Sequence, residues 1–181
     1  RIPVATTLTG LGGFPGDHPL FTGLVGMHGS KASNMGVTNC DLLLVVGARF
    51  SDRVVGIVDH FAPGARVVHM DIDPAEVNKN IPVVQAVIGD IKMVLQALNE
   101  RASLPRQTEW MHMIEEWRAE DRACTPEDHI ARQIMRCLRE LTDEDAIIVT
   151  DVGQHQMWTA QYYTFGRRSD LITSGGLGTM G

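Results

Sequence analysis

An α/β protein built on parallel β-sheet is the fold this sequence predicts, and three observations predict it. Short, strongly apolar runs such as Leu42-Leu43-Leu44-Val45-Val46 alternate with segments whose apolar residues recur at helical spacing, the pattern of βα units around strands buried on both faces. Each run ends in polar or glycine-containing sequence, as strands do where they open into a ligand-facing loop. No apolar stretch approaches the roughly 20 residues needed to cross a bilayer.

Taken in order, the first strand is expected at 4–7, ending in Thr9-Gly10-Leu11-Gly12, with a helix at 33–40. The second, 41–46, runs into Gly47-Ala48-Arg49; the third, 66–71, into Asp71-Ile72-Asp73; the fourth, 83–88, into Gly89-Asp90. A helix over 91–100 follows from Ile91, Val94, Leu95 and Leu98. Four loops on one sheet edge would make a nucleotide site. Between 101 and 125 the composition turns polar, which reads as an interdomain stretch with a helix carrying Trp110, Ile114 and Trp117 as a packing stripe. Thr125-Pro126-Glu127-Asp128 reads as the start of a helix reaching Glu140, since Thr caps and Pro suits the first turn. A strand at 146–150, a helix from about His155 and a strand at 171–174 complete a second α/β unit.

Sixteen basic against 22 acidic side chains leave a net charge of −6. With no clustered positive face, this disfavours nucleic acid or an anionic membrane as partner and points to a soluble, cytoplasmic protein. Cys40, Cys124 and Cys137 are odd in number and form no CxxC pair, which argues against a disulfide framework or thiolate metal site. No GxGxxG or Walker motif is present. The chain opens at Arg1 without Met and stops inside a glycine-rich run, so a piece of a longer polypeptide is expected.

The chemistry-bearing candidates cluster at the strand ends. Gly47 lets a bound group approach the backbone, and Arg49 offers a planar fork suited to a diphosphate, although pairing with a nearby acid is an equal reading. Asp71 and Asp73 can accept hydrogen bonds from ribose or ribityl hydroxyls, while helix capping accounts equally well for Asp73. His28 and His155, held between glycine and amide residues, are open to proton relay or to a buried structural role. The other histidines lack ligand spacing, so no metal site is assigned. Glu115-Glu116 and Glu120-Asp121 read as solvated surface.

Together, Thr6-Thr7-Leu8-Thr9-Gly10-Leu11-Gly12, Gly26-Met27-His28-Gly29, Gly47-Ala48-Arg49-Phe50-Ser51-Asp52-Arg53, His69-Met70-Asp71-Ile72-Asp73-Pro74-Ala75-Glu76 and Thr173-Ser174-Gly175-Gly176-Leu177-Gly178-Thr179-Met180-Gly181 resemble the acetohydroxyacid synthase (acetolactate synthase) family of thiamine-diphosphate enzymes. The resemblance covers essentially the whole chain in order. It implies a Rossmann-like central domain of FAD-binding type over 1–100, lacking its first βα unit. An interdomain linker over 101–125 and the truncated start of a thiamine-diphosphate-binding domain over 126–181 would follow. The implied activity decarboxylates pyruvate and joins the hydroxyethyl unit to pyruvate or 2-oxobutyrate, in branched-chain amino-acid biosynthesis.

By resemblance, Thr7, Leu8, Met27, His28, Gly47, Ala48, Arg49, Asp71, Ile72, Gly89 and Asp90 would touch FAD, held structurally and not for redox chemistry. Arg53 would grip the carboxylate of the second 2-oxo acid. Gly153, Gln154 and His155 would meet the thiamine diphosphate at its diphosphate and Gly178 near its rings, with Met180 beneath holding it bent. The family's catalytic Glu and the Gly-Asp-Gly segment binding Mg are expected outside this chain, leaving it inactive alone. A homodimer or homotetramer, a small regulatory subunit and a bacterial cytoplasmic setting are also implied. The alternatives are another FAD-containing thiamine-diphosphate enzyme, such as a glyoxylate carboligase or pyruvate oxidase, or a non-catalytic nucleotide-binding module.

Overall fold

A computed structural model describes residues 2–103, 108–166 and 170–180. Part of the expected interdomain stretch, 104–107, and Gly181 of the glycine-rich motif lie outside the described residues. Strand β1 (Val4–Thr6) pairs with β2 (Phe21–Leu24), and helix α1 (Lys31–Asn39) follows. Strand β3 (Leu42–Val46), helix α2 (Asp52–Val55), strands β4 (Arg66–Asp71) and β5 (Gln85–Ile88) and helix α3 (Ile91–Arg101) come next. The chain continues with α4 (Thr108–Cys124), α5 (Ile130–Leu141), β6 (Ile147–Thr150), α6 (Gln154–Tyr162) and β7 (Asp170–Thr173).

All the strand pairings are parallel, as the βα alternation requires. They do not make one edge with four loops. Among the described residues, β3, β4 and β5 form one sheet in that order, while β1–β2 and β6–β7 form two-stranded sheets of their own. Strand β2, four residues long and containing Gly23, is unforeseen from the sequence, and it is the strand that pairs with β1.

By its internal contacts the chain divides into two compact units, Met35–Arg106 and Ile2–Asn34 with Gln107–Gly181. In the first, Val45, Phe50, Val55, Val67 and Ile81 form the core. Helix α3 begins where its sequence places it, because the Asp90 carboxylate accepts the Met93 N–H at 3.1 Å and caps it. In the second, Leu11, Leu24, Met135, Ala160, Tyr163 and Phe165 pack together. The expected interdomain stretch carries a well-anchored helix: Ile114 is 0% exposed, and the Trp110 and Trp117 rings meet edge to face at 5.8 Å.

Two sequence expectations need correction here. Helix α5 begins at Ile130, not Thr125. The Thr125 N–H still donates to Asp121 O at the end of α4, and the His129 ring caps α5 by accepting the Ala131 N–H at 3.3 Å. Nor is the Glu120-Asp121 pair merely solvated. Asp121 accepts the Lys31 and Ala32 N–H groups at 2.8 and 3.0 Å, while Ser30 Oγ accepts the Ser33 N–H at 3.0 Å. Three donors that a helix start leaves unpaired are thereby satisfied. The Lys31 ammonium bonds to Glu120, whose carboxylate raises its pKa. Removing the cap with Asp121→Ala is expected to destabilise the full-length protein by about 1 kcal/mol, as for other lost caps, with thermal unfolding as the check.

Candidate functional site

In the three-stranded sheet the sequence-predicted residues gather at the carboxyl edge. Gly47, Ala48 and Arg49 follow β3; Asp71 closes β4 and Ile72 follows it; Gly89 and Asp90 follow β5. Gly47 adopts φ 61°, accessible to glycine at little cost, and an added Cβ there would meet nothing within 4 Å. The Gly47 N–H donates to Met70 O at 2.8 Å, tying the loop to β4. Arg49 is exposed, and among the described residues its side chain makes no ion pair, so the acid-paired reading does not hold. Asp71 is buried and accepts the Asp73 N–H at 2.9 Å; Asp73 caps the turn Pro74–Glu76 through the Ala75 N–H at 2.9 Å. Ile72 is largely exposed. Arg53, exposed on α2, has its Nε 4.0 Å from the Asp52 carboxylate.

In the other unit, Thr7 and Leu8 follow β1 and Met27 and His28 follow β2, so the parallel pairing brings both loops to one edge. Both Met27 and His28 are exposed on a tight turn. Asn34 closes that turn, accepting the Gly26 N–H at 2.8 Å and donating to Gly26 O at 3.0 Å. Gly153, Gln154 and His155 open α6, while Gly178 and Met180 lie in the segment after β7. Gly153 has φ 154° and ψ −171°, a region essentially reserved for glycine. The side chains of Gln154 and His155 are exposed. Buried Gln156 donates to Thr173 Oγ1 at 2.7 Å, and the Val152 N–H donates to Thr179 O at 3.2 Å, joining the two strand ends. A Cβ on Gly175 would lie 3.6 Å from Leu8, so the segment after β7 abuts the turn after β1.

Sequence reasoning missed the residues that shape these loops. His69 has no ligand spacing with the other histidines, yet it is 0% exposed, with Nε2 3.0 Å from Ala48 O and 3.5 Å from the Asp71 carboxylate. Asn80 Nδ2 donates to both Arg49 O and Phe50 O at 3.1 Å. The i, i+2 spacing of His69 and Asp71, which puts both on one strand face, was the available signal. The cysteines are all free, and burial pushes the Cys40 thiol pKa up.

These loops suit anionic groups. An unpaired guanidinium beside a glycine with open space fits a dinucleotide diphosphate, and the glycine-led start of α6 fits a second diphosphate. Among the described residues no group of three or more His, Cys, Asp and Glu side chains is placed to hold a metal ion. No described helix is long and apolar enough to cross a membrane.

Comparison with known proteins adds two domain matches. Residues 1–98 match the family described as Thiamine pyrophosphate enzyme, central domain, and residues 151–181 match its C-terminal TPP binding domain. The chain is 42% identical to the probable acetolactate synthase large subunit of Methanocaldococcus jannaschii, covering 100% of this chain and 33% of that protein. It is 45% identical to the acetolactate synthase isozyme 2 large subunit of Escherichia coli, covering 100% and 33%. It is 44% identical to the chloroplastic acetolactate synthase 1 of Oryza sativa, covering 99% and 29%. The chain thus spans about a third of the length of the relatives it matches.

Proposed function

This chain belongs to the thiamine pyrophosphate enzyme family, and from that premise we propose that it is part of an acetolactate synthase large subunit. Such an enzyme would decarboxylate pyruvate and join the two-carbon unit to pyruvate or 2-oxobutyrate, serving branched-chain amino-acid biosynthesis. The observation that carries this reading is the similarity to acetolactate synthase large subunits along the whole chain, through both matched domains and the stretch between them.

Bound thiamine diphosphate would supply an electron sink for the pair released when a 2-oxo acid loses carbon dioxide. Gly153, Gln154 and His155 would hold its diphosphate at the start of α6, where Gly153 carries no side chain and the His155 ring lies 3.0 Å from the place a Cβ would take. Gly178 and Met180 would line its ring region. Gly47, Ala48, Arg49, Asp71, Ile72, Gly89 and Asp90 would hold FAD, with Arg49 on its diphosphate. The assignment of Thr7, Leu8, Met27 and His28 to FAD rests on the resemblance alone. No residue of this chain is proposed as a Mg ligand. Assembly as a homodimer or homotetramer is supported by the exposed Ile130, Ile134, Leu138 and Leu141 along one face of α5, which need cover.

Arg53 would hold the carboxylate of the acceptor 2-oxo acid, a task for a two-pronged donor. Since decarboxylation precedes acceptor binding, Arg53→Ala in the full-length enzyme is expected to lower acetolactate formation about tenfold more than pyruvate decarboxylation. Carbon dioxide released in a single turnover reads the first step, and steady-state acetolactate formation reads the second. Absence of acetolactate from the wild-type full-length protein supplied with thiamine diphosphate, Mg and FAD would overturn the functional reading, whereas equal losses in Arg53→Ala would overturn only the role of Arg53.

A further inference from the structure

The loop Gly47-Ala48-Arg49-Phe50 has an unusual distribution of hydrogen bonds. Three of its four carbonyls are taken by side chains: Ala48 O by His69 Nε2 at 3.0 Å, and Arg49 O and Phe50 O by Asn80 Nδ2 at 3.1 Å each. A carbonyl only accepts, so His69 Nε2 carries the proton. The N–H groups of Arg49 and Phe50, by contrast, donate to nothing among the described residues. The peptides are trans, and in a trans peptide the carbonyl of one residue and the N–H of the next point in opposite directions. Tying Ala48 O to the buried His69 ring therefore turns the Arg49 N–H away from it. Tying Arg49 O to Asn80 does the same for the Phe50 N–H.

The arrangement is held at a cost. Phe50 sits at φ 50°, unfavourable for a bulky side chain, and its buried ring packs edge to face on His69 at 5.0 Å and on Phe61 at 6.0 Å. Strain of this kind persists where the surroundings over-determine the backbone. Successive unpaired amides beside an exposed guanidinium form an anion-binding concavity.

We propose that His69 and Asn80 are positioning residues for this loop: by taking its carbonyls they present the Arg49 and Phe50 N–H groups, beside the Arg49 side chain, to the diphosphate of a dinucleotide cofactor. The proposal rests on the FAD reading above. Neither residue need touch the cofactor. His69 reaches it through Ala48, and Asn80 through Arg49 and Phe50.

The test compares His69→Leu, His69→Gln, Asn80→Ala and Arg49→Ala in the full-length protein, stripped of flavin and titrated with FAD by fluorescence, with apo thermal unfolding measured alongside. His69→Leu is expected to weaken FAD about tenfold, and Asn80→Ala several-fold, without a matching loss of apo stability in the latter, since Asn80 is exposed. His69→Gln, whose amide nitrogen can still donate to Ala48 O, is expected to restore most of the affinity. Wild-type FAD affinity in Asn80→Ala and His69→Leu, with Arg49→Ala weakened, overturns the proposal and leaves the FAD reading standing. If Arg49→Ala is also unaffected, the placing of FAD on this loop falls and the proposal with it. Should His69→Leu fail to fold, Asn80→Ala decides: weakened FAD with unchanged apo stability supports the proposal, and unchanged FAD affinity overturns it.

Discussion

Replacing Arg49 with alanine in the full-length protein is expected to weaken FAD binding about tenfold to a hundredfold, the loss of charge-assisted hydrogen bonds worth roughly 1.5–3 kcal/mol. The effect should fall on the ligand and not on the fold. Arg49 is exposed and its side chain has no acidic partner among the described residues, so its removal strands no buried charge. Its carbonyl, the group that Asn80 holds, survives the substitution. Arg49→Lys should lie between, because an ammonium keeps the charge and loses the planar fork. Titration of apo protein with FAD reads the affinity, and thermal unfolding without FAD reads the fold. An unchanged dissociation constant would remove Arg49 from the proposed cofactor site.

The substitution Gly29→Ala is expected to act in the opposite manner, on the fold first. An added Cβ would lie 2.5 Å from Leu24 O and 2.9 Å from Gly26 N, both backbone atoms that no side-chain movement can relieve. The same Leu24 carbonyl accepts the Ser30 N–H at 2.9 Å, and the Gly29 N–H closes the turn on Gly26 O at 2.8 Å. Making room therefore strains the bonds that seat Met27 and His28 and lead into α1. Overpacking of this sort costs about 1–3 kcal/mol. The variant should unfold at lower temperature and, because Met27 and His28 move, also lose FAD affinity. Wild-type stability would mean that the turn can open freely.

The parallel α/β character was legible because it depends on signals local to each segment. Leu42-Leu43-Leu44-Val45-Val46 is a short apolar run bounded by Asp41 and Gly47, the mark of a buried strand, and Asp90 caps the helix beginning at Ile91 as its position suggests. Strand β2 was hidden, since Phe21-Thr22-Gly23-Leu24 acquires its extended form from pairing with Val4–Thr6. The start of α5 was misread because Thr125 and Pro126 satisfy capping rules that the end of α4 also satisfies. At the candidate site, Gly47 and Arg49 announce themselves by residue type. The residues that arrange them, His69 and Asn80, lie 20 or more positions along the chain, and nothing in their own neighbourhoods ties them to Gly47 and Arg49. Asp121 was read as solvent-facing for a similar reason: its hydrogen-bond partners are Lys31 and Ala32.

That last contact bears on the order of events during synthesis. The start of α1 is capped by a side chain 90 residues further on, and the unit to which both belong resumes only at residue 107. Once residues 31–40 have been synthesised the helix is present but not its cap, and an isolated nine-residue helix is marginal in water. Unit Met35–Arg106, whose internal sheet needs no later sequence, can condense first. Segment Ile2–Asn34 must wait, its exposed strand edges open to wrong partners, until α4 emerges and closes a loop whose entropy cost grows only slowly with length. Conditions that slow elongation between residues 35 and 107 would therefore lengthen the interval in which the start of α1 is left without its cap.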